Sequence, residues 1–275
     1  MLPVQVINLA RRPERLKRIA AALGQAGIPW ERIEAIDAQT VSHTDLATEF
    51  GSGWRRRAFP ATPGDMACSL THQLVWKKIA DSGRAAIVLE DDAVLADSFG
   101  EFLAQDIVAA MREATLGVLK LEFWPGDQKS RRFPVGAPLR MLHGQSQRRL
   151  YRLRSTFLGS CAYLMRPESA ELALFHHPRL RVPVDHYLFG REAGLGFDLL
   201  HPGFVNPAPV RHGIDLHPSD IAGERDGTGT RRTYLRRWID DRVRRKLRRE
   251  IAAAEGEAVE LAFGGVDPAK VPPRG

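Results

Sequence analysis

The sequence predicts an α/β protein, a largely parallel sheet flanked by helices, from three features. The chain opens with a β-α-β pattern over residues 4–36. A continuous apolar run, residues 85–89, has the character of a central strand covered on both faces. Helix-type and strand-type segments then go on alternating to about residue 192. Such alternation is the mark of parallel strands joined by crossover helices.

Element by element, residues 4–9 (VQVINL) form a β-type run, and Pro13 opens a helix at its first turn, where the missing N–H costs little. Leu16, Ile19 and Leu23 recur at helical spacing and Gly24 is the expected stop. Residues 33–36 read as the second strand. Pro60, Pro63 and Gly64 mark a loop, with Asp65 as the expected cap of the next helix. Met66, Leu70, Leu74 and Ile79 give that helix one apolar side, and Gly83 ends it. One helix is expected over 98–111 and a strand over 116–121, ending at Glu122. Residues 131–154 are basic and punctuated by Gly and Pro, consistent with a hairpin. A strand over 157–165, a helix from Pro167 to Leu174 and a short helix over 185–192 follow, and 203–218 reads as loop.

The 275 residues suffice for a sizeable core in one large domain or two small ones. Two cysteines exclude a disulfide scaffold and a Cys-rich zinc site, and fit a reducing compartment. No run approaches the ~18 apolar residues of a membrane span. The first ten residues lack the basic start of a signal peptide. A cytoplasmic protein is expected. The net charge is +7, yet residues 231–249 alone carry +8, which leaves −1 for the rest. A nucleic-acid-binding fold carries its basic stripe on the body, so no specific nucleic-acid partner is expected.

Glu90-Asp91-Asp92 stands where the apolar strand ends. Adjacent carboxylates repel, and burial raises the cost. A divalent cation relieves that repulsion, and oxygen-rich sites suit Mg²⁺ or Mn²⁺, which often also hold substrate phosphates. On an extended backbone Glu90 and Asp92 share one side and Asp91 takes the other. The carboxyl ends of strands in open α/β sheets are where ligands bind. A solvated acidic turn is the alternative.

Four stretches resemble glycosyltransferase family 25, the family of lipopolysaccharide galactosyl- and glucosyltransferases and collagen galactosyltransferases. They are Val6-Ile7-Asn8-Leu9 with Arg12 and Arg15; Gly64-Asp65-Met66-Ala67-Cys68-Ser69-Leu70-Thr71-His72 with Trp76; Ile87-Val88-Leu89-Glu90-Asp91-Asp92; and Gly159 to Arg166 followed by Pro183-Val184-Asp185. Order and spacing agree over roughly residues 4–225. Thr71 stands where the family has Ser, and Arg166 where a Ser is common.

The resemblance implies a GT-A-like nucleotide-binding sheet over residues 1–228. It also implies hexose transfer with inversion, from UDP-galactose or UDP-glucose to a hydroxyl of a glycan acceptor such as lipopolysaccharide. The acid triplet would be the family's metal motif. Asp92 would hold Mn²⁺ or Mg²⁺, with Glu90 as a second ligand and His212 as a further one. Glu90 or Asp91 would reach the ribose or donor sugar. Asn8 and Leu9 would meet the nucleotide, Arg15 the diphosphate, with Arg12 a weaker candidate, and His72 would hydrogen-bond near the nucleotide. Inversion needs a general base, for which Asp185 and Glu122 are the candidates. Cys68 and Cys161 read as small buried hydrophobes, and Trp76 as core.

Residues 229–252 read as a basic amphipathic helix and 253–275 as a flexible tail. Leu235, Ile239, Val243, Leu247 and Ile251 form an apolar stripe beside Trp238, with Arg and Lys on the other face. That composition suits an anionic membrane surface, so residues 231–251 would place the enzyme on the inner face of the cytoplasmic membrane. A helix packed on the catalytic domain is the alternative. At the level of the whole chain, a metal-dependent phosphohydrolase and a non-enzymatic membrane- or nucleic-acid-binding module remain the competing readings.

Overall fold

The computed structural model describes residues 2–51, 59–125, 131, 133–142, 147–213 and 256–264. The basic segment 231–251 lies outside the described residues. Strand β1 (Val4–Asn8) leads into helix α1 (Pro13–Gln25) and back into β2 (Trp30–Glu34). β1 pairs in parallel with β2 on one side and with β3 (Ala86–Glu90) on the other. The β-α-β opening is therefore as expected. Gly24 does not stop α1. The chain leaves the helix at Gly27, whose φ of +64° suits a residue without Cβ. The second strand accordingly sits three residues earlier than its apolar pattern suggested.

Helix α2 (His43–Phe50) precedes the long α3 (Pro63–Ser82). Thr62, not Asp65, caps α3. Its hydroxyl accepts from the Asp65 amide while the Asp65 carboxylate accepts from Thr62 N–H, a reciprocal capping box. Gly83 ends α3 in the left-handed region, φ +62°. The helix expected over 98–111 is two, α4 (Phe99–Ala104) and α5 (Ile107–Glu113). Asp106 interrupts them, its carboxylate accepting from the Ala109 amide as a fresh cap.

The main sheet has nine strands among the described residues, in the order β12-β7-β8-β10-β5-β9-β3-β1-β2. β5 (Val118–Lys120) and β3 both pair antiparallel with β9 (Ala162–Met165), so the sheet is mixed rather than parallel throughout. The basic segment is a hairpin of β7 (Val135–Leu142) and β8 (Arg148–Leu153). The expected loop after residue 203 instead holds β10 (Gly203–Asn206) and β11 (Val210–His212). A three-stranded sheet, β4 (Ala93–Leu95), β11 and β6 (Glu122–Phe123), stands at the strand ends and carries His212.

Residues 256–264, expected in a flexible tail, pack back on the domain. β12 (Glu257–Ala258) pairs with β7, and Val259 and Leu261 are buried in the core. Their alternation with exposed neighbours is what lets a short extended segment seal the sheet edge.

Strand residues alternate between two apolar layers. Ala86, Val88, Tyr163 and Met165 face one, and Ile87, Leu89, Ala162 and Leu164 the other. The first layer is closed by α2, α3, α6 (Pro167–His176), α7 (Val184–Phe189) and α8 (Gly196–Leu200); the second by α1, α4 and α5. This is a mixed α/β sheet flanked by helices, consistent with the expected GT-A-like fold.

Candidate active site at the carboxyl ends of β1 and β3

A cleft of about 240 Å³ opens where β1 and β3 end. Its walls include Asn8, Leu9, Arg12, Arg15, Cys68 and the three acids Glu90, Asp91 and Asp92. Parallel pairing of β1 with β3 brings their carboxyl ends side by side, Ile7 opposite Glu90. The buried apolar strand thus delivers the acids to the cleft floor, as the sequence indicated.

β3 stops at Glu90 and the chain turns at Asp91-Asp92, so the extended-strand alternation ends there and each acid meets its own partners. Asp91 accepts from Asn8 Nδ2 at 2.7 Å and stands 3.5 Å from Arg15 Nη1. Burial pushes its pKa up to about 6, against the Asn8 hydrogen bond and with help from the charge of Asp92. Arg15 is itself nearly buried, on the helix face turned to the core.

Glu90 Oε1 accepts from Ser160 Oγ at 2.7 Å and lies 3.3 Å from His72 Nε2. Burial raises the Glu90 carboxyl, but the His72 and Ser160 hydrogen bonds and the imidazole's field win and hold it at about 2. Behind it runs a buried relay. Trp76 Nε1 donates to the Tyr163 hydroxyl at 2.8 Å, and that hydroxyl lies 2.8 Å from His72 Nδ1. An indole N–H only donates, so the tyrosine oxygen accepts from Trp76. The fully buried His72 ring stands between that hydroxyl and Glu90, a brace for the acid. Trp76 is core, as read from sequence, with its one polar atom satisfied.

Asp92 meets a different set. Cys161 Sγ donates to Oδ1 at 3.4 Å, and His212 Nε2 lies 3.6 Å from Oδ2. Burial raises the Asp92 pKa, opposed first by the His212 field. Burial also lifts the Cys161 thiol well above its usual value, so it remains a protonated donor to Asp92. Trp124 packs against the His212 ring at 4.1 Å between centroids. Gly213 lets the backbone after β11 pass close to Asp92, since a Cβ there would lie 2.4 Å from the Asp92 carbonyl.

Two groups of donor atoms each converge within 4.8 Å, Cys68/His72/Glu90 and Asp92/Cys161/His212. In the first, both ring nitrogens of His72 already face protein partners, the Tyr163 hydroxyl and Glu90. The second offers a buried carboxylate with raised pKa and an imidazole. A divalent cation would relieve that carboxylate, and this oxygen–nitrogen pair fits Mn²⁺. Glu90, expected as a ligand beside Asp92, belongs to the other group.

Several expected contacts are otherwise engaged. Asn8 Nδ2 bonds Asp91 and the Arg12 carbonyl, and its Oδ1 accepts from Arg32 Nε at 3.2 Å. The Asn8 carbonyl accepts from Ala35 N and the Leu9 carbonyl from Arg12 N. Asn8 is therefore a brace for Asp91, and both Asn8 and Leu9 line the cleft. Glu122, a candidate base, is 1 % exposed, with Oε1 bonded to Lys120 Nζ at 2.8 Å and Oε2 to the Ala162 amide at 3.1 Å. A carboxylate closed in this way cannot reach an acceptor hydroxyl. Asp185 is half-buried in the first turn of α7, where its Oδ1 accepts from the His186 amide at 2.8 Å. Cys161 is buried as read, but Cys68 is partly exposed on the cleft wall.

Residues the sequence reading passed over include Arg11 and Asp37, paired at 2.7 Å on the cleft rim, and Ser160, Tyr163, Lys120 and Trp124. The Lys120 and Trp124 contacts join segments far apart in sequence and leave no local signal. Ser160 and Tyr163 lay inside the Gly159–Arg166 stretch already singled out.

An open sheet with an acid-lined cleft at its carboxyl edge defines an α/β protein of the kind that takes its ligand at strand ends. Residues 1–188 match the family described as "Glycosyltransferase family 25 (LPS biosynthesis protein)", and the chain belongs to that family. It is similar to a "Glycosyltransferase 25 family member" of Aedes aegypti, 26% identical over 192 residues, covering 67% of this chain and 30% of that protein. It is similar to "Lacto-N-neotetraose biosynthesis glycosyltransferase LgtB" of Neisseria gonorrhoeae, 35% identical over 103 residues, 37% of this chain and 36% of that one. A "Probable inactive glycosyltransferase 25 family member 3" of Rattus norvegicus is 30% identical over 116 residues, 38% of this chain and 20% of that protein. The matched regions thus span 20% to 36% of those relatives' length.

Proposed function

We propose that this chain is an active, metal-dependent glycosyltransferase. It moves a hexose, galactose or glucose, from a UDP-sugar to a hydroxyl of a surface glycan such as lipopolysaccharide, with inversion. The observation that carries this is the cleft floor, where the acid triplet is intact and each acid has a distinct set of partners. Asp92 and His212 would hold Mn²⁺, which when bound supplies charge neutralisation for a diphosphate leaving group. Arg15 and Arg12, at the start of α1, face the same cleft and suit phosphate oxygens. Glu90, held ionised, offers an acceptor for sugar or ribose hydroxyls. Asp185 takes the proton from the acceptor hydroxyl while that oxygen bonds the anomeric carbon and the bond to the diphosphate oxygen breaks.

Calorimetric titration of the full chain with UDP, with and without Mn²⁺, tests donor binding. The proposal expects affinity that depends on the metal, and indifference to Mn²⁺ would sink it. Asp185→Asn is expected to keep UDP binding and lower transfer about 10²–10⁴-fold, the usual loss with a general base. Wild-type turnover at saturating acceptor would remove Asp185 from the role. Release of phosphate from the donor without an acceptor would favour a phosphohydrolase instead. We also propose that residues 231–251 dock the enzyme on an anionic cytoplasmic membrane surface, where a lipid-linked acceptor would be found. Reversing the charge of Arg244, Arg245, Arg248 and Arg249 should then abolish co-sedimentation with anionic vesicles at low salt, and undiminished binding would refute it.

A further inference from the structure

Lys120 and Glu122 lie side by side at the end of β5, both side chains fully excluded from solvent, 2.8 Å apart. A buried ion pair is no more stabilising than well-packed apolar residues in its place, so its presence asks for another reason. Its hydrogen bonds supply one. Lys120 Nζ donates to the Gly159 carbonyl, and Glu122 Oε2 accepts from the Ala162 amide. The pair grips both ends of the tetrapeptide 159–162. Between those ends stand Ser160, which bonds Glu90, and Cys161, which bonds Asp92. Gly159 has φ +117°, and a Cβ there would lie 1.9 Å from Glu122 Oε1, so the backbone closes directly onto the pair. Lys120 also packs against the helix that bears the proposed base. Its ammonium lies 4.6 Å from the Phe157 ring centroid and 4.5 Å from that of Phe189, the last residue of the helix that bears Asp185. Phe157 N donates to the Phe189 carbonyl at 3.0 Å, tying the same two segments.

We infer that Lys120 and Glu122 are positioning residues that clamp the 159–162 segment so that Ser160 and Cys161 orient Glu90 and Asp92 in the cleft. The inference rests on the proposed donor site. Loss of such supporting partners around metal-binding groups typically costs 10–100-fold in metal affinity or activity. Neither residue touches substrate. They act through the two side chains that they hold against the acids.

The experiment uses the full chain and the variants Lys120→Met, Glu122→Gln and the double variant. Each is titrated with UDP in the presence of Mn²⁺, with melting temperature read alongside. Each single variant should weaken Mn²⁺-dependent UDP affinity about 10–100-fold. The double variant should recover to within several-fold of wild type. Its glutamine can accept from Ala162 N–H and donate to the Gly159 carbonyl, and methionine keeps the apolar stem between the two phenylalanine rings. Variants that melt earlier yet bind UDP like wild type while folded would reduce the pair to a stability element and overturn the inference. Should Lys120→Met not fold, the near-isosteric Glu122→Gln and the double variant carry the same comparison. Should wild type show no Mn²⁺-dependent UDP binding, the donor reading falls. The clamp is then read from hydrogen exchange at the Ser160, Cys161 and Ala162 amides, where protection unchanged in Glu122→Gln overturns it and faster exchange supports it.

Discussion

Asp91 and Asp92 are neighbours in the chain but stand in different fields, and each yields a test. Asp92 has burial against it and His212 for it. Asp92→Ala is expected to abolish Mn²⁺-dependent UDP binding in calorimetry. The apo protein should melt no lower than wild type, because a buried carboxylate goes with its repulsion. Retained metal-dependent affinity would move the ligand role elsewhere. For Asp91 the sign can be worked out. The folded protein keeps the Asp91 proton to about pH 6, while the ordinary aspartate value is 3.8. Between these values the folded state binds more protons, so stability falls as pH rises. The contribution is fully present below 3.8 and lost through about 6, worth about 3 kcal/mol. Asp91→Asn removes it. The unfolding free energy of wild type relative to this variant should therefore decline between pH 4 and 6 and level above pH 7, as measured by denaturant titration. A flat difference would mean that Asn8 and Arg15 outweigh burial.

At the scale of elements, residue 159 shows how a backbone can be dictated by a side chain elsewhere. Gly159→Ala sets a Cβ against the Glu122 carboxylate and demands a φ of +117° from an alanine. A loss of about 2–4 kcal/mol is expected from strain and the disturbed ion pair together, read by denaturant unfolding. A change below the error of that measurement would show that the segment relaxes freely. Elements with a strong local pattern were legible in the sequence: β1, α1, α3 and β3 lie close to where their apolar patterns put them, and the basic, Gly- and Pro-punctuated stretch 131–154 holds the hairpin expected there. What escaped was set by distant partners. β9 is half as long as its apolar stretch because Gly159 turns away to meet Lys120 and Glu122. β10 and β11 read as loop because their prolines and glycines hide short strands stabilised only by pairing with β8, β5, β4 and β6. The acids were legible because three adjacent carboxylates directly after a buried apolar run repel one another and so point to a cation or to neutralising partners. Their partners Ser160 and Cys161 lie some 70 residues on, just before β9, and the antiparallel pairing of β9 with β3 brings them over.

At the scale of the molecule, the site depends on a segment that the sequence pattern left as tail. Val259 and Leu261 are 6 % and 5 % exposed, and β12 covers the outer edge of β7. The segment also holds the approach to β11. Ala208 N donates to the Ala262 carbonyl at 2.8 Å and Gly264 N to the Ala208 carbonyl at 2.9 Å, two residues before the strand that carries His212. Asn206 Oδ1 accepts from Ala262 N at 2.8 Å, and Phe263 packs near Phe123 on the neighbouring strand. Burying two such aliphatic side chains contributes about 3–6 kcal/mol. For a domain of this size that corresponds to a fall in melting temperature of roughly 6–24 °C. A chain ending at residue 255 is expected to show that fall, and Val259→Ala with Leu261→Ala a large part of it. The shortened chain should also bind UDP with Mn²⁺ more weakly at temperatures where it is still folded, because His212 loses the brace on its strand. Asp185, on a helix outside the β11 brace, should keep its role, so the loss should appear in donor affinity before turnover at saturation. An unchanged melting temperature on truncation would show that the returning segment adds nothing to the fold, and with it the link from the sheet edge to His212 would be withdrawn.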